Sequence, residues 1–127
     1  MLKSVHHVAV ICSDYRRSKD FYTRVLGLEG IQEVYRAERD SWKLDLALNA
    51  QYVIELFSFP DPPVRVSRPE AAGLRHLAFE VENLGVCVEE LKEKGVICEP
   101  VRTDEYTGKR YTFFEDPDKL PLELYEL

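Results

Sequence analysis

The chain has 127 residues, 45% of them hydrophobic, which suits one domain or two small modules and is too apolar for a disordered chain. Its formal charge is −6, from 17 Lys and Arg against 23 Asp and Glu. That balance argues against a nucleic-acid partner, which requires a basic face.

Residues 5–12, VHHVAVIC, are short, apolar and rich in Val, and read as a buried strand. Asp14 is placed to cap a helix. Phe21, Tyr22, Val25 and Leu26 follow at helical spacing, and Gly27 can end that helix. Strand-like runs occupy about 30–36, 42–48 and 52–59, the last being YVIELFSF. Residues 60–73 hold prolines at 60, 62, 63 and 69 and read as an extended connector. The plan then repeats: a strand at 74–81, a cap at Asn83, a helix over 84–94 closed by Gly95, and strands near 96–102, 109–115 and 120–126.

The repeat has an internal register. His7 precedes Asp14 by seven residues, and His76 precedes Asn83 by seven. Glu55 lies 48 residues after His7, and Glu123 lies 47 after His76. HVAV matches HLAF, and VIELF matches LPLELY. Glu55 and Glu123 are flanked by apolar residues, and a carboxylate in such a run needs a partner, a proton or a metal. Side chains alternate along a strand, so each His can point to one chosen face. Two imidazoles and two carboxylates suit zinc, nickel, cobalt, manganese or iron. The third histidine, His6, has no counterpart in the repeat, because Arg75 stands in its place. Alternation points it away from His7, toward an opposite surface or an interface.

The three cysteines, Cys12, Cys87 and Cys98, fit neither a disulfide framework nor a thiolate zinc site. They are expected as buried free thiols. No apolar run reaches membrane-span length, and the N-terminal segment has no signal core. The expected compartment is the cytoplasm, with no membrane partner.

HVAVICSDYRRSKDFYTRVLGL from His7, together with YVIEL around Glu55, GLRHLAFEV around His76 and DPDKLPLEL around Glu123, resembles the vicinal oxygen chelate superfamily, glyoxalase I branch. Cys12 stands where that signature usually has Ile or Val. The resemblance spans essentially the whole chain. It implies an α+β fold of two βαβββ modules forming a cupped mixed sheet, the glyoxalase/bleomycin resistance/dihydroxybiphenyl dioxygenase fold. Residues 1–127 form one domain: module one about 1–59, a connector about 60–73, and module two about 74–127. By matching position, His7, Glu55, His76 and Glu123 become the ligands of one divalent metal. Nickel or zinc leads, with cobalt, manganese or iron as alternatives. Related epimerases usually carry Gln at the Glu55 position, and fosfomycin-modifying members usually lack that ligand.

The implied activity is that of a lactoylglutathione lyase. It converts the hemithioacetal of methylglyoxal and a thiol to a lactoyl thioester through an enediolate, a methylglyoxal detoxification. Glu123 is the expected proton carrier and Glu55 the more tightly held ligand, since Glu123 follows a polar Asp-Pro-Asp turn. Arg39 and Lys43 in one polar stretch, and Lys109 and Arg110 in another, are candidate contacts for a substrate such as a glutathione adduct. A homodimer is the expected assembly. The competing readings are an epimerase, a dioxygenase, a thiol transferase, or a metal-free small-molecule binding module.

Overall fold

The computed structural model describes residues 1–127. They form two compact units, Met1–Val64 and Arg65–Leu127. Each is a βαβββ module with a four-stranded mixed sheet.

Module one runs β1 (Val8–Cys12), α1 (Tyr15–Asp20), β2 (Glu29–Arg36), β3 (Ser41–Leu48) and β4 (Gln51–Ser58). The sheet order is β1-β4-β3-β2, with β1 parallel to β4 and the remaining pairs antiparallel. Asp14 caps α1, its Oδ1 accepting the Arg17 N–H at 3.1 Å. The helix then widens into a π-turn over Phe21–Val25, where the Leu26 N–H reaches the Phe21 carbonyl and the Leu28 N–H reaches Tyr22. That widening buries Phe21, Tyr22 and Val25 together. Alternation along β4 sends Ile54 and Leu56, both 0% exposed, into the core. Val53, Glu55 and Phe57 take the opposite face. Asn49 and Ala50, both at positive φ, make the tight β3–β4 hairpin turn.

Module two repeats this as β5 (Leu77–Val81), α2 (Leu84–Glu93), β6 (Arg102–Thr103), β7 (Arg110–Glu115) and β8 (Pro121–Glu126), in sheet order β5-β8-β7-β6. Asn83 caps α2 through the Val86 N–H at 3.1 Å. Gly95, at φ +85°, follows the helix end. Leu122 and Leu124 are buried, while Glu123 lies on the other face. The strand expected at 96–102 shrinks to Arg102–Thr103. Pro100 has no N–H for a ladder, and only Glu99 bonds across, to the Phe113 carbonyl at 2.8 Å. The turn before β8 is closed by buried Asp116, whose Oδ1 accepts the N–H groups of Asp118 and Leu120, both at 2.8 Å.

All three cysteines are free thiols. Cys12 is buried as expected, whereas Cys87 and Cys98 are only partly covered. Module two has too small a core to enclose them. No helix is long and apolar enough to cross a membrane.

Candidate functional site

Each module brings one histidine to one glutamate. Ala9 of β1 lies beside Glu55 of β4 in the parallel pair, and His7 stands immediately before that strand begins. His7 Nε2 is 3.9 Å from Glu55 Oε1. In module two, Ala78 lies beside Glu123. His76 Nε2 is 3.0 Å from Glu123 Oε2. The carboxylates are mostly covered, at 17% exposed for Glu55 and 13% for Glu123. Each pair offers one imidazole nitrogen and one carboxylate oxygen, the donors that suit a borderline divalent metal. Neither unit by itself gathers three or more such ligands.

The surroundings of the two pairs differ. Asp45 of β3 lies directly opposite Glu55. The Tyr52 hydroxyl is 3.0 Å from both carboxylates. Lys43 Nζ reaches Asp45 Oδ1 at 2.8 Å and Glu55 Oε2 at 3.5 Å. This setting raises the Lys43 ammonium pKa, chiefly through its bond to Asp45. The Tyr52 phenol is pushed up as well, first by burial and then by its two carboxylate partners. Opposite Glu123 stands Phe113 instead. Its ring meets His76 edge-on at 5.0 Å between centroids.

The residue before each histidine touches that histidine's Nδ1. Arg75 Nη1 is 3.3 Å from His76 Nδ1. Arginine only donates, so Nδ1 accepts and the opposite nitrogen, Nε2, faces Glu123 with its proton. His6 Nδ1 lies 2.8 Å from His7 Nδ1, and its ring packs 5.2 Å from that of Tyr52. The expectation that His6 points away is therefore corrected. β1 begins at Val8, so the period-2 alternation of a strand does not govern residues 6 and 7.

A model of the glyoxalase/bleomycin resistance protein/dioxygenase superfamily matches residues 4–124. The chain belongs to that superfamily. Protein YwkD of Bacillus subtilis is 68% identical over 126 residues, covering 99% of this chain and 98% of YwkD. The crystal structure of the glyoxalase family protein from Enterococcus faecalis has a TM-score of 0.91 and 49% identity, covering 98% of each chain. The bovine mitochondrial methylmalonyl-CoA epimerase is 31% identical over 98 residues, covering 75% of this chain and 56% of the epimerase. The βαβββ modules of this superfamily are those expected from the repeat.

The residues read as substrate contacts are dispersed within this superfamily fold. Lys43 joins the Glu55 cluster. The Arg39 guanidinium lies 5.0 Å from the Phe59 ring centre. Arg110 forks onto Glu126 at 3.0 and 2.6 Å, and Lys109 is exposed on the adjoining turn. Sequence reasoning missed Asp45 and the arginines near Glu123. A pocket of about 820 Å³ beside Glu123 is lined by Arg68, Arg75 and Arg102. Arg65, Arg68 and Arg75 all fall within the end of the connector and the start of module two, a run of cations that could have drawn attention.

Proposed function

We propose that this superfamily member is a metal-dependent isomerase of the glyoxalase I type, acting on the hemithioacetal of methylglyoxal and a thiol. The observation that carries the reading is the recurrence of one His–Glu pair at the matching place in each module, at 3.9 Å and 3.0 Å. His7, Glu55, His76 and Glu123 would hold one divalent metal, nickel or zinc first. Their nitrogen and oxygen donor set fits such an ion. A bound divalent metal supplies Lewis-acid stabilisation of negative charge on adjacent substrate oxygens.

The chain's own part is the proton transfer. Glu123 takes the proton from the carbinol carbon and returns it to the neighbouring carbon, the substrate passing through an enediolate. Its one polar side-chain partner is His76, so the carboxylate can turn toward a substrate without breaking a second tie. Glu55 is restrained by Tyr52 and Lys43 and serves as a fixed ligand. Lys43 stays with that carboxylate, while Arg39, Lys109 and Arg110 remain candidates for the outer part of the substrate.

An epimerase is the runner-up, favoured by the 31% identity to the methylmalonyl-CoA enzyme. Glu at position 55, where the epimerases usually carry Gln, supports the first reading. We further propose a homodimer in the cytoplasm. Exposed Ile11, Ile31 and Val34 leave apolar surface to cover, and three free cysteines suit a reducing compartment. A light-scattering mass near 14.8 kDa with full metal occupancy rejects the dimer.

The deciding experiment is elemental analysis followed by assay of lactoyl thioester formation with nickel, cobalt, zinc and manganese in turn. No bound divalent metal and no response to added ion removes the reading. Metal binding with epimerisation of an acyl-CoA, and no lactoyl thioester, transfers it to the runner-up.

A further inference from the structure

Beside Glu123 lies the pocket of about 820 Å³, a volume within the range of small-molecule sites. Its wall is formed by Arg68, Arg75 and Arg102, with hydroxyls from Thr103, Tyr106 and Tyr111. Solvated surface arginines are commonplace, and three features separate these from that case.

The first is a brace. Arg65 donates to Ser67 Oγ at 2.9 Å and to the carbonyls of Leu74 and Arg75 at 2.6 and 2.9 Å. It closes residues 65–75 into a loop and holds Arg68 and Arg75 on it. The second is fixation of Arg102. Its guanidinium lies 5.2 Å from the Tyr111 ring centre and 5.6 Å from that of Phe113, and Glu99 accepts one of its N–H groups at 3.0 Å. An arginine held over aromatic faces loses little further freedom when an anion arrives. The third is unused capacity. Arg68 has no partner inside the chain, and Arg75 reaches Glu70 only at 3.9 Å.

Glu99, Asp104, Glu105 and Glu123 line the same pocket, and three of them have side-chain or backbone partners of their own. Glu99 is bound to Arg102. Asp104 accepts the Tyr106 N–H at 2.9 Å and the Tyr125 hydroxyl at 3.0 Å. Glu123 faces His76. Glu105 alone remains against the free donors of Arg68 and Arg75.

We infer that the pocket binds an oxyanion, a phosphate or carboxylate, carried by the substrate at the end away from its reacting carbon. Guanidinium forks match the paired oxygens of both groups. Arg75 links the two ends, since it lines the pocket and touches His76. The inference rests on the reading of Glu123 as the reacting carboxylate, and it assigns a substrate class to that site.

The test is calorimetric titration of the full chain, stripped of metal by a chelator, with inorganic phosphate and separately with succinate. The expected result is saturable one-to-one binding of at least one probe, weakening with added salt. Arg68→Gln and Arg102→Gln, neither of which contacts a His–Glu pair, each weaken it roughly ten- to a hundredfold. Arg16→Gln, on the exposed face of α1, leaves it unchanged. Tighter phosphate assigns a phosphate ester, and tighter succinate assigns a carboxylate. Absence of saturable binding, or equal loss in Arg16→Gln, overturns the inference. Metal content is measured on every variant. A chain that binds metal and no anion loses only this inference, and one that binds anion and no metal loses only the reaction.

Discussion

The two modules follow one chain plan and treat their glutamates differently. Glu55 faces Asp45 across the strand pair, with Lys43 and Tyr52 bonded to it. Glu123 faces Phe113, with a histidine ring nitrogen as its polar partner. The cores differ in the same direction. Eleven buried hydrophobic residues belong to module one, from Val10 to Leu56, and six to module two, from Leu84 to Leu124. Duplication of a fold thus leaves room for division of labour: one copy rigid and polar around its carboxylate, the other less filled, with a pocket beside its own.

The sharpest way to break that contrast is to neutralise each glutamate in turn. Glu123→Gln is expected to lower kcat about 10²- to 10⁴-fold, the usual worth of a positioned acid–base group. On the proposed assignment Glu55→Gln loses less, because its amide keeps a coordinating oxygen and the proton moves through Glu123. Lactoyl thioester formation is compared at equal metal occupancy. Greater damage in Glu55→Gln would reverse the assignment of roles.

Core truncation tests the packing half of the contrast. Leu46 and Leu122 are each 0% exposed. Leu→Ala at such sites costs about 2–5 kcal/mol, and more where the surroundings cannot collapse. Leu46→Ala should fall nearer the upper end, since the π-turn locks Phe21, Tyr22 and Val25 into the same module. Leu122→Ala should fall nearer the lower end, given the smaller core around it. Urea unfolding of both variants reads the difference, and a larger loss at Leu122 contradicts it.

Much of this plan was legible in the sequence, for physical reasons that also mark where legibility stopped. Caps at Asp14 and Asn83 and the alternation of YVIELF and LPLEL depend on near neighbours, and the structure has both. The polar, Pro-containing turn before Glu123 suggests local freedom there. That turn is tied down by Asp116, so any freedom lies in the sparse partners of the side chain itself. Asp45 was invisible because its meaning comes from strand register, which sets it against Glu55 from ten residues away in sequence. The strand expected at 96–102 overlooked the effect of Pro100 on a ladder. The brace on 65–75 depends on a guanidinium reaching carbonyls nine and ten residues ahead, beyond any local pattern.

A smaller effect separates the helix starts. Asp14→Ala removes the side-chain cap of the six-residue α1, and Asn83→Ala removes that of the ten-residue α2. Each should cost about 0.5–2 kcal/mol by urea unfolding. The Asn83 variant is expected to lose less, because the start of α2 keeps another side-chain acceptor: Glu126 Oε2 takes the Leu84 N–H at 3.0 Å. Equal losses would mean that Glu126 gives α2 no support.

Glu126 itself supplies the subtlest distinction, one of pH. Ser58 holds the matching place in module one: Cys12 pairs with Ser58 as Val81 pairs with Glu126. Ser58 accepts the Trp42 N–H and carries no charge to titrate near neutrality. Glu126 accepts from Arg110 and from the first N–H of α2, and these bonds, Arg110 foremost, hold its carboxyl below the ordinary glutamate value of 4.5. A depressed carboxylate stabilises the folded state fully above its unfolded value. That contribution is lost as the pH falls through the lower folded value. The pair is half exposed on its arginine side, so water screens it and the effect is small. Urea midpoints of the parent chain and Glu126→Gln, followed from neutrality down to about pH 3, isolate the contribution, since every other carboxylate titrates in both proteins. The gap between the two should be widest near neutrality and close on acidification. A gap that stays constant would mean that Glu126 supports module two by shape alone.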